Sequence, residues 1–297
     1  MSRAFKYIIS FIIVSMLVAF LYLYWVKLTV WVMADKWVEC SQSKPSLGLY
    51  NYKVRIESKT IQGLSRNTSG LTYSSSTNTL FLVINRKPAV AEISTGGDLI
   101  RVISLDGATD PEGIAHVSDS LFIVSDEAGN VVHWVNIYDD ERGAQIVSTH
   151  KLRLGFGNIH NLGLEGAAWD SYSSELLLAN EKLPRAVLTL AHVKPLDQIQ
   201  DSEVYEWNTN QWFGFLGNDI SSISVHEKTG NLYLLSEESS ILAEYSRSGQ
   251  ILGVLPLWAG YSGLSKTVPQ PEGVTIGRDG TVFIVSEPNI FYSFNAN

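Results

Sequence analysis

Cysteine is nearly missing from this chain: Cys40 is the one residue of its type. A lone cysteine excludes an intramolecular disulfide framework. Cys40 is also poorly placed for lipid attachment, because it lies far past the apolar amino-terminal run and follows Trp37-Val38-Glu39 rather than small residues. Basic charge is scarce as well. The 22 Lys and Arg face 30 Asp and Glu, a formal charge of −8 with no basic cluster, and this excludes a nucleic-acid surface. Linear catalytic motifs are absent too. No G-x-S-x-G elbow, H-E-x-x-H zinc helix, Walker loop, G-x-G-x-x-G turn or EF-hand loop occurs. With three Met and many small polar turn residues, the composition suits an all-β protein with ample chain for a large core.

One long hydrophobic run is present. Tyr7 to Trp25 carries no charge and is long enough to span a bilayer. Tyr22, Tyr24, Trp25, Trp31 and Trp37 have the character of an interfacial aromatic belt. We read residues 1–6 as a cytoplasmic tail, 7–27 as a transmembrane anchor with an alternative end at Ala34, and 28–49 as a juxtamembrane linker. A secretory signal peptide is the competing reading, but no small-residue cleavage site follows near Trp25. Arg3 and Lys6 favour an inside amino terminus, while Lys27 and Lys36 weigh against it. The expectation is a single-pass inner-membrane protein whose folded domain, residues 50–297, faces the periplasm.

That domain repeats. Asn67 to Tyr73, Pro111 to His116, Leu164 to Trp169, Ile220 to Val225 and Pro271 to Ile276 match one another, with Gly70, Gly113, Gly166, Ser222 and Gly273 at the shared position. These anchors stand roughly 40 to 55 residues apart, the period of propeller blades. After each anchor come a polar turn and a second apolar run, for example Leu80 to Ile84 and Val282 to Val285. A third strand follows in all five units and a fourth in four of them. Tyr52 to Glu57 is left over upstream and supplies the missing strand, closing the ring. The reading is therefore a five-bladed β-propeller of four-stranded blades; a six-bladed ring is the alternative, although no sixth anchor is visible.

Repeats align side chains in columns. One column, at the innermost strands, reads Ser69, Glu112, Glu165, Ser221, Glu272. Another, after the second strands, reads Asn85, Asp126, Glu181, Glu237, Glu287. Carboxylates gathered in a channel must be solvated, protonated or bound to a cation. Oxygen donors from several segments suit Ca²⁺, so Glu112, Glu165, Glu272, Asp126, Glu181, Glu237 and Glu287 are the candidate ligands. The same glutamates could instead lock neighbouring blades, and the second column could lie on a solvated rim. Among the six histidines, His116 and His226 repeat alongside Tyr73 and Trp169 as strand residues; His160 stands in an irregular loop. The stretches Phe156 to Leu162 and Asn208 to Asp219 break the repeat, the second with Trp212, Phe213 and Phe215, and either carries function or plugs the ring.

The series Ser69-Gly70-Leu71, Pro111-Glu112-Gly113, Leu164-Glu165-Gly166 and Pro271-Glu272-Gly273, closing on Val285 to Tyr292, resembles the SdiA-regulated family from about Tyr50 to Asn297. The resemblance implies a five-bladed propeller, a bound calcium ion and a distant likeness to NHL-repeat propellers, some of which are metal-dependent enzymes. It implies no reaction. Two functions follow as expectations. The first is a membrane-tethered module that binds Ca²⁺ and a protein or small-molecule ligand. The alternative is a calcium-dependent hydrolase acting on phosphoesters or lactones, with Arg86, Lys87, Lys182 and Arg185 as the cations nearest the second column.

Overall fold

The computed structural model describes residues 5–22, 45–64, 66–152, 163–181, 185–196, 203–209 and 215–296. Two compact units are separate, divided between Ser43 and Lys44. The first contains the helix Phe5–Tyr22, long and apolar enough by length and composition to cross a membrane or to act as a signal sequence. Residues 23–27 of the anchor reading, and Cys40, lie outside the described residues.

The second unit is a ring of five four-stranded antiparallel sheets. Blade 1 contains Thr68–Ser74, Thr79–Ile84, Ala89–Ile93 and Leu99–Ser104. Blade 2 contains Pro111–Ser118, Leu121–Asp126, Val131–Ile137 and Ala144–Lys151. Blade 3 contains Leu164–Asp170, Glu175–Asn180, Ala186–Ala191 and Glu203–Trp207. Blade 4 contains Ser222–Val225, Leu232–Ser236, Ile241–Tyr245 and Ile251–Pro256. Blade 5 contains Pro271–Ile276, Val282–Ser286 and Ile290–Ala296, and Tyr52–Thr60 pairs with the last of these as its outer strand. The ring has five blades, so the six-bladed alternative is set aside.

Each blade is apolar on both faces, so the core lies in slices between neighbours. Phe81, Val83 and Val90 of blade 1 pack on Ile114, Phe122 and Val124 of blade 2, with the Phe81 and Phe122 rings 4.7 Å apart. The corresponding slice between blades 5 and 1 holds Phe283, Val285 and Phe291 against Leu71, Leu80 and Leu82. Successive innermost strands touch one another, and blade 5 meets blade 1.

The anchor glycines explain how closely they can touch. A Cβ on Gly113 would lie 2.6 Å from the Ala167 nitrogen and 2.8 Å from the Gly166 carbonyl carbon of the next blade. One on Gly273 would lie 2.9 Å from the Gly70 carbonyl carbon. Side chains are therefore excluded where backbones pack. Blade 4 has Ser222 at this position, and its hydroxyl accepts a hydrogen bond from the Val274 nitrogen across the interface at 3.3 Å.

Blade 4 also departs from blade 1 in a way that fixes the chain's entry. Glu92 and Glu244 hold the same repeat position, opposite Phe81 and Tyr233 on one side and Arg101 and Gly253 on the other. In blade 1, Arg101 donates to Glu92 at 2.6 Å. In blade 4 glycine replaces arginine opposite Glu244, and the space beside Gly253 is taken by Leu49, 3.6 Å from its would-be Cβ. Fully buried Glu244 instead accepts from Ser46 Oγ at 2.7 Å, the Leu47 nitrogen at 3.1 Å, Asn231 Nδ2 at 2.8 Å and the Tyr233 hydroxyl at 2.8 Å. A carboxylate buried without a cation is tolerable only when its lone pairs are filled this way. Hence Ser46 to Leu49, read as the end of the linker, is part of the propeller, and Leu49 is completely buried.

The close approach of innermost strands makes a prediction. Gly113→Ala should destabilise the protein by about 3 kcal/mol in chemical unfolding, the upper end of overpacking costs. Gly96→Ala, whose new methyl meets only side-chain atoms at 3.4 Å or beyond, should stay within about 0.5 kcal/mol of the parent. Equal effects would show that the anchor positions are not sterically constrained.

Candidate functional site: the acidic mouth of the channel

The innermost strands do not enter the channel as regular ladders. In blade 2, Pro111 pairs with Asp126 and Gly113 with Ser125, so Glu112 is bulged out between them. Glu165 is bulged in the same way between Leu164 and Gly166, and Glu272 between Pro271 and Gly273. A bulge leaves one residue unpaired and re-aims its side chain. Three glutamates of the first column are thus presented by the same local device, at the same level of the ring.

Glu112 is buried, 6% exposed. Its carboxylate accepts from Ser69 Oγ at 2.5 Å and from Asn85 Nδ2 at 2.9 Å, so the two non-acidic members of blade 1's columns are its partners. Burial raises its pKa to about 7; those two hydrogen bonds lower it, and Asp110 and Glu127 raise it further. Glu165 is raised to about 9 by burial, then by Glu112, Glu181, Glu127 and Glu272. Glu272 is raised to about 8 by burial, then by Glu237, Glu287, Glu112 and Asp219. These mutual effects unite the columns in one electrostatic cluster at one mouth of the channel. The charged neighbours that act most strongly on the three are all acids.

Glu181, Glu237 and Glu287 stand in this cluster. Each is the first residue after its second strand, and its backbone nitrogen bonds to the segment leading into the same blade: Glu181 to the Gly163 carbonyl, Glu237 to the Asp219 carboxylate and Glu287 to the Gln270 carbonyl. The equivalent residue in blade 2 is Glu127, which donates to the Asp110 carbonyl at 3.0 Å. Asp126 is one residue early. It belongs to the ladder opposite Pro111 and is buried among other partners, accepting from the Thr109 nitrogen at 2.6 Å and lying 3.5 Å from His133 Nε2. Burial alone would raise its carboxyl; bonds from His133, Thr109 and Asp110 hold it below the usual range. The structure therefore brings six of the seven candidates into the cluster, while Asp126 is engaged beside it by Thr109, His133 and the Asp110 backbone.

It also adds residues that the columns omitted. Carboxylate oxygens of Asp110, Glu112 and Glu127 lie within 4.8 Å of one another, close enough to share a cation. Asp110 precedes the Pro-Glu-Gly turn, and Asp219 holds the matching place in blade 4, where it is buried and accepts from the Ser236 hydroxyl and the Glu237 and Glu238 nitrogens. A third column, Asn67, Asp110, Gly163, Asp219, Gln270, was readable in the repeat and would have found both. The donor set is all oxygen, hard and anionic, as Ca²⁺ requires. Of the histidines, His116 and His226 line the other mouth of the channel. His160, Trp212, Phe213 and Lys182 lie outside the described residues; Phe215 packs on Trp207 with rings 6.0 Å apart.

The raised carboxyls set a pH dependence. A carboxyl whose folded pKa exceeds its unfolded value stabilises the fold fully below the unfolded pKa, and that stabilisation is lost as pH rises through the folded one. With divalent cations chelated, Tm should fall between pH 5 and pH 9 by on the order of 5 °C, at about 2–4 °C per kcal/mol for a domain this large. Glu165→Gln should flatten the decline. A Tm that rises over this interval would contradict the carboxyl environments described.

Among solved structures, the chain is similar to Myxococcus xanthus glutaminyl cyclase at 12% identity, over 82% of this chain and 97% of that one, with a TM-score of 0.51. A streptogramin B lyase is similar at 10% identity, 85% and 100% coverage and TM-score 0.45. The nidogen/laminin complex is similar at 11% identity, 75% and 73% coverage and TM-score 0.48. At such identities the likeness concerns the fold alone. Residues 44–295 match the SdiA-regulated family, which covers every blade described above, and the chain belongs to that family.

Proposed function

We propose that this protein is a membrane-anchored, calcium-binding propeller, held by its amino-terminal helix in the inner membrane with the ring in the periplasm, that recognises a protein or small-molecule ligand. The observation carrying the calcium part is the juxtaposition of Asp110, Glu112 and Glu127 within 4.8 Å, beside Glu165 and Glu272, which are raised by burial and then by neighbouring acids. A divalent cation there offsets the repulsion and frees Glu112 from its dependence on Ser69 and Asn85. Glu165, Glu181, Glu237, Glu272 and Glu287 place further carboxyl groups around it. The site would occupy one side of the ring, since Ser69 and Ser221 replace glutamate in the first column.

The hydrolase alternative wants a fixed cation for a phosphate. Arg185 donates to the Gly217 carbonyl, and Arg86 and Lys87 are exposed, so the described residues supply no such cation in the cluster. Binding is therefore the preferred reading. Calorimetric titration of the full chain in detergent with Ca²⁺ should give a saturable site with affinity of roughly 10⁻⁶ to 10⁻³ M. Glu112→Gln and Asp110→Asn should weaken it at least about tenfold, equivalent to 1.4 kcal/mol. Asp126→Asn should leave it unchanged. Absence of binding, or dependence on Asp126 alone, would overturn the assignment.

A further inference from the structure

The channel's other mouth is chemically opposite. The innermost strands end around a cavity of about 270 Å³ to which all five blades contribute. The space exists because one repeat position is uniformly small: Thr72, Ala115, Ala168, Ser224 and Thr275. The next position places three rings around it, Tyr73, His116 and Trp169. Two of these rings are backed by a second ring. His116 lies 5.0 Å from Phe122, and Trp169 meets Trp134 edge-on at 6.2 Å. The collar is thus held in place before any ligand arrives.

Several polar groups of the wall can donate a hydrogen bond. Thr72 Oγ1 accepts from the His116 nitrogen and Thr275 Oγ1 from the Tyr73 nitrogen, each at 3.0 Å. One lone pair of each oxygen is engaged by the neighbouring blade, and each threonine still has its hydroxyl hydrogen to offer. The hydroxyl of Ser224, 7% exposed, forms no hydrogen bond among the described residues, although its backbone pairs with Tyr233. His226 Nε2, also buried, has no partner among the described residues. At the rim stand Lys228 and Arg278, both exposed and neither in an ion pair among the described residues. Glu227 shares the rim, and Asp119 and Asp279 lie near His116 and Tyr73. With acids interspersed, the mouth is not cationic overall, which disfavours extended polyanions and suits one small anionic group held locally by the two cations.

We propose that this mouth is a second binding site, separate from the acidic one, for a small oxyanion (a carboxylate or a phosphate monoester) carried on a flat ring. The oxyanion is held by Arg278, Lys228 and the hydroxyls of Thr72, Ser224 and Thr275. The ring lies against Tyr73, His116 and Trp169. The cavity admits a compound of small aromatic-acid size and excludes larger ones, being near the lower limit of ligand pockets.

The test is calorimetric titration of the full chain in detergent with benzoate, phenyl phosphate and benzyl alcohol. Saturable one-to-one binding of benzoate or phenyl phosphate is expected, and the tighter of the two identifies the anion class. Arg278→Gln should weaken it at least fivefold and Lys228→Gln by a smaller factor; both residues are exposed, so the fold is not at stake. Glu112→Gln, at the opposite mouth, should leave it unchanged, which separates this site from the calcium assignment. The proposal is overturned by no saturable binding of either anion up to about 10 mM, well above a weak affinity of roughly 1 mM. Benzyl alcohol binding as well as benzoate, or binding indifferent to Arg278→Gln, would overturn it equally.

Discussion

Backbone-to-backbone contact between innermost strands is the constraint on which this molecule depends. Gly113 faces Gly166, and Gly273 faces Gly70, at separations that leave no room for a methyl group. Five twisted sheets can pack side by side only if their inner ends converge this closely. The glycine that permits convergence follows the bulged glutamate directly, so the same turn that closes the ring also projects a carboxylate into it. The acidic cluster is in that sense a product of the packing solution, not an addition to it.

Crowding carboxylates in this way works against stability. Glu112, Glu165 and Glu272 are each pushed up by burial first and then by neighbouring acids. The fold bears that cost through hydrophobic slices between blades and through latches such as Thr72 and Thr275, which accept backbone N–H groups of the adjacent blade. The cost is useful if a cation occupies the cluster, because the repulsion that weakens the empty ring becomes attraction to the ion. At the other mouth the same strands end in hydroxyls and rings, with Lys228 and Arg278 beside Glu227 at the rim.

Much of this was legible in the sequence because a repeat is a register. Five anchors located the blades, and the orphan strand at Tyr52 found its partner at Ile290–Ala296 because one unit lacked a fourth strand. The acidic cluster was legible in part: the columns led to six of its members and passed over Asp110, Asp219 and Glu127. Choosing Asp126 over Glu127 followed the first acid after an apolar run. Reading blade 2 against Asn180-Glu181, Ser236-Glu237 and Ser286-Glu287 would have placed the acid just past the ladder. The bulges were not legible, because a register shift depends on pairing across strands and leaves the residue spacing unchanged. The seating of Ser46 to Leu49 was hidden for a similar reason. A linker-like composition concealed a socket created by Gly253 standing where blade 1 has Arg101.

The central claim is that the acidic mouth holds a divalent cation on Asp110, Glu112 and Glu127. Anomalous diffraction from crystals of the protein grown with Ca²⁺, or with Tb³⁺ in its place, tests it directly. The account predicts one strong peak bonded to carboxylate oxygens of all three residues at about 2.3–2.6 Å. Peaks confined to other surfaces, with Glu112 still bonded only to Ser69 and Asn85 at saturating Ca²⁺, would contradict it.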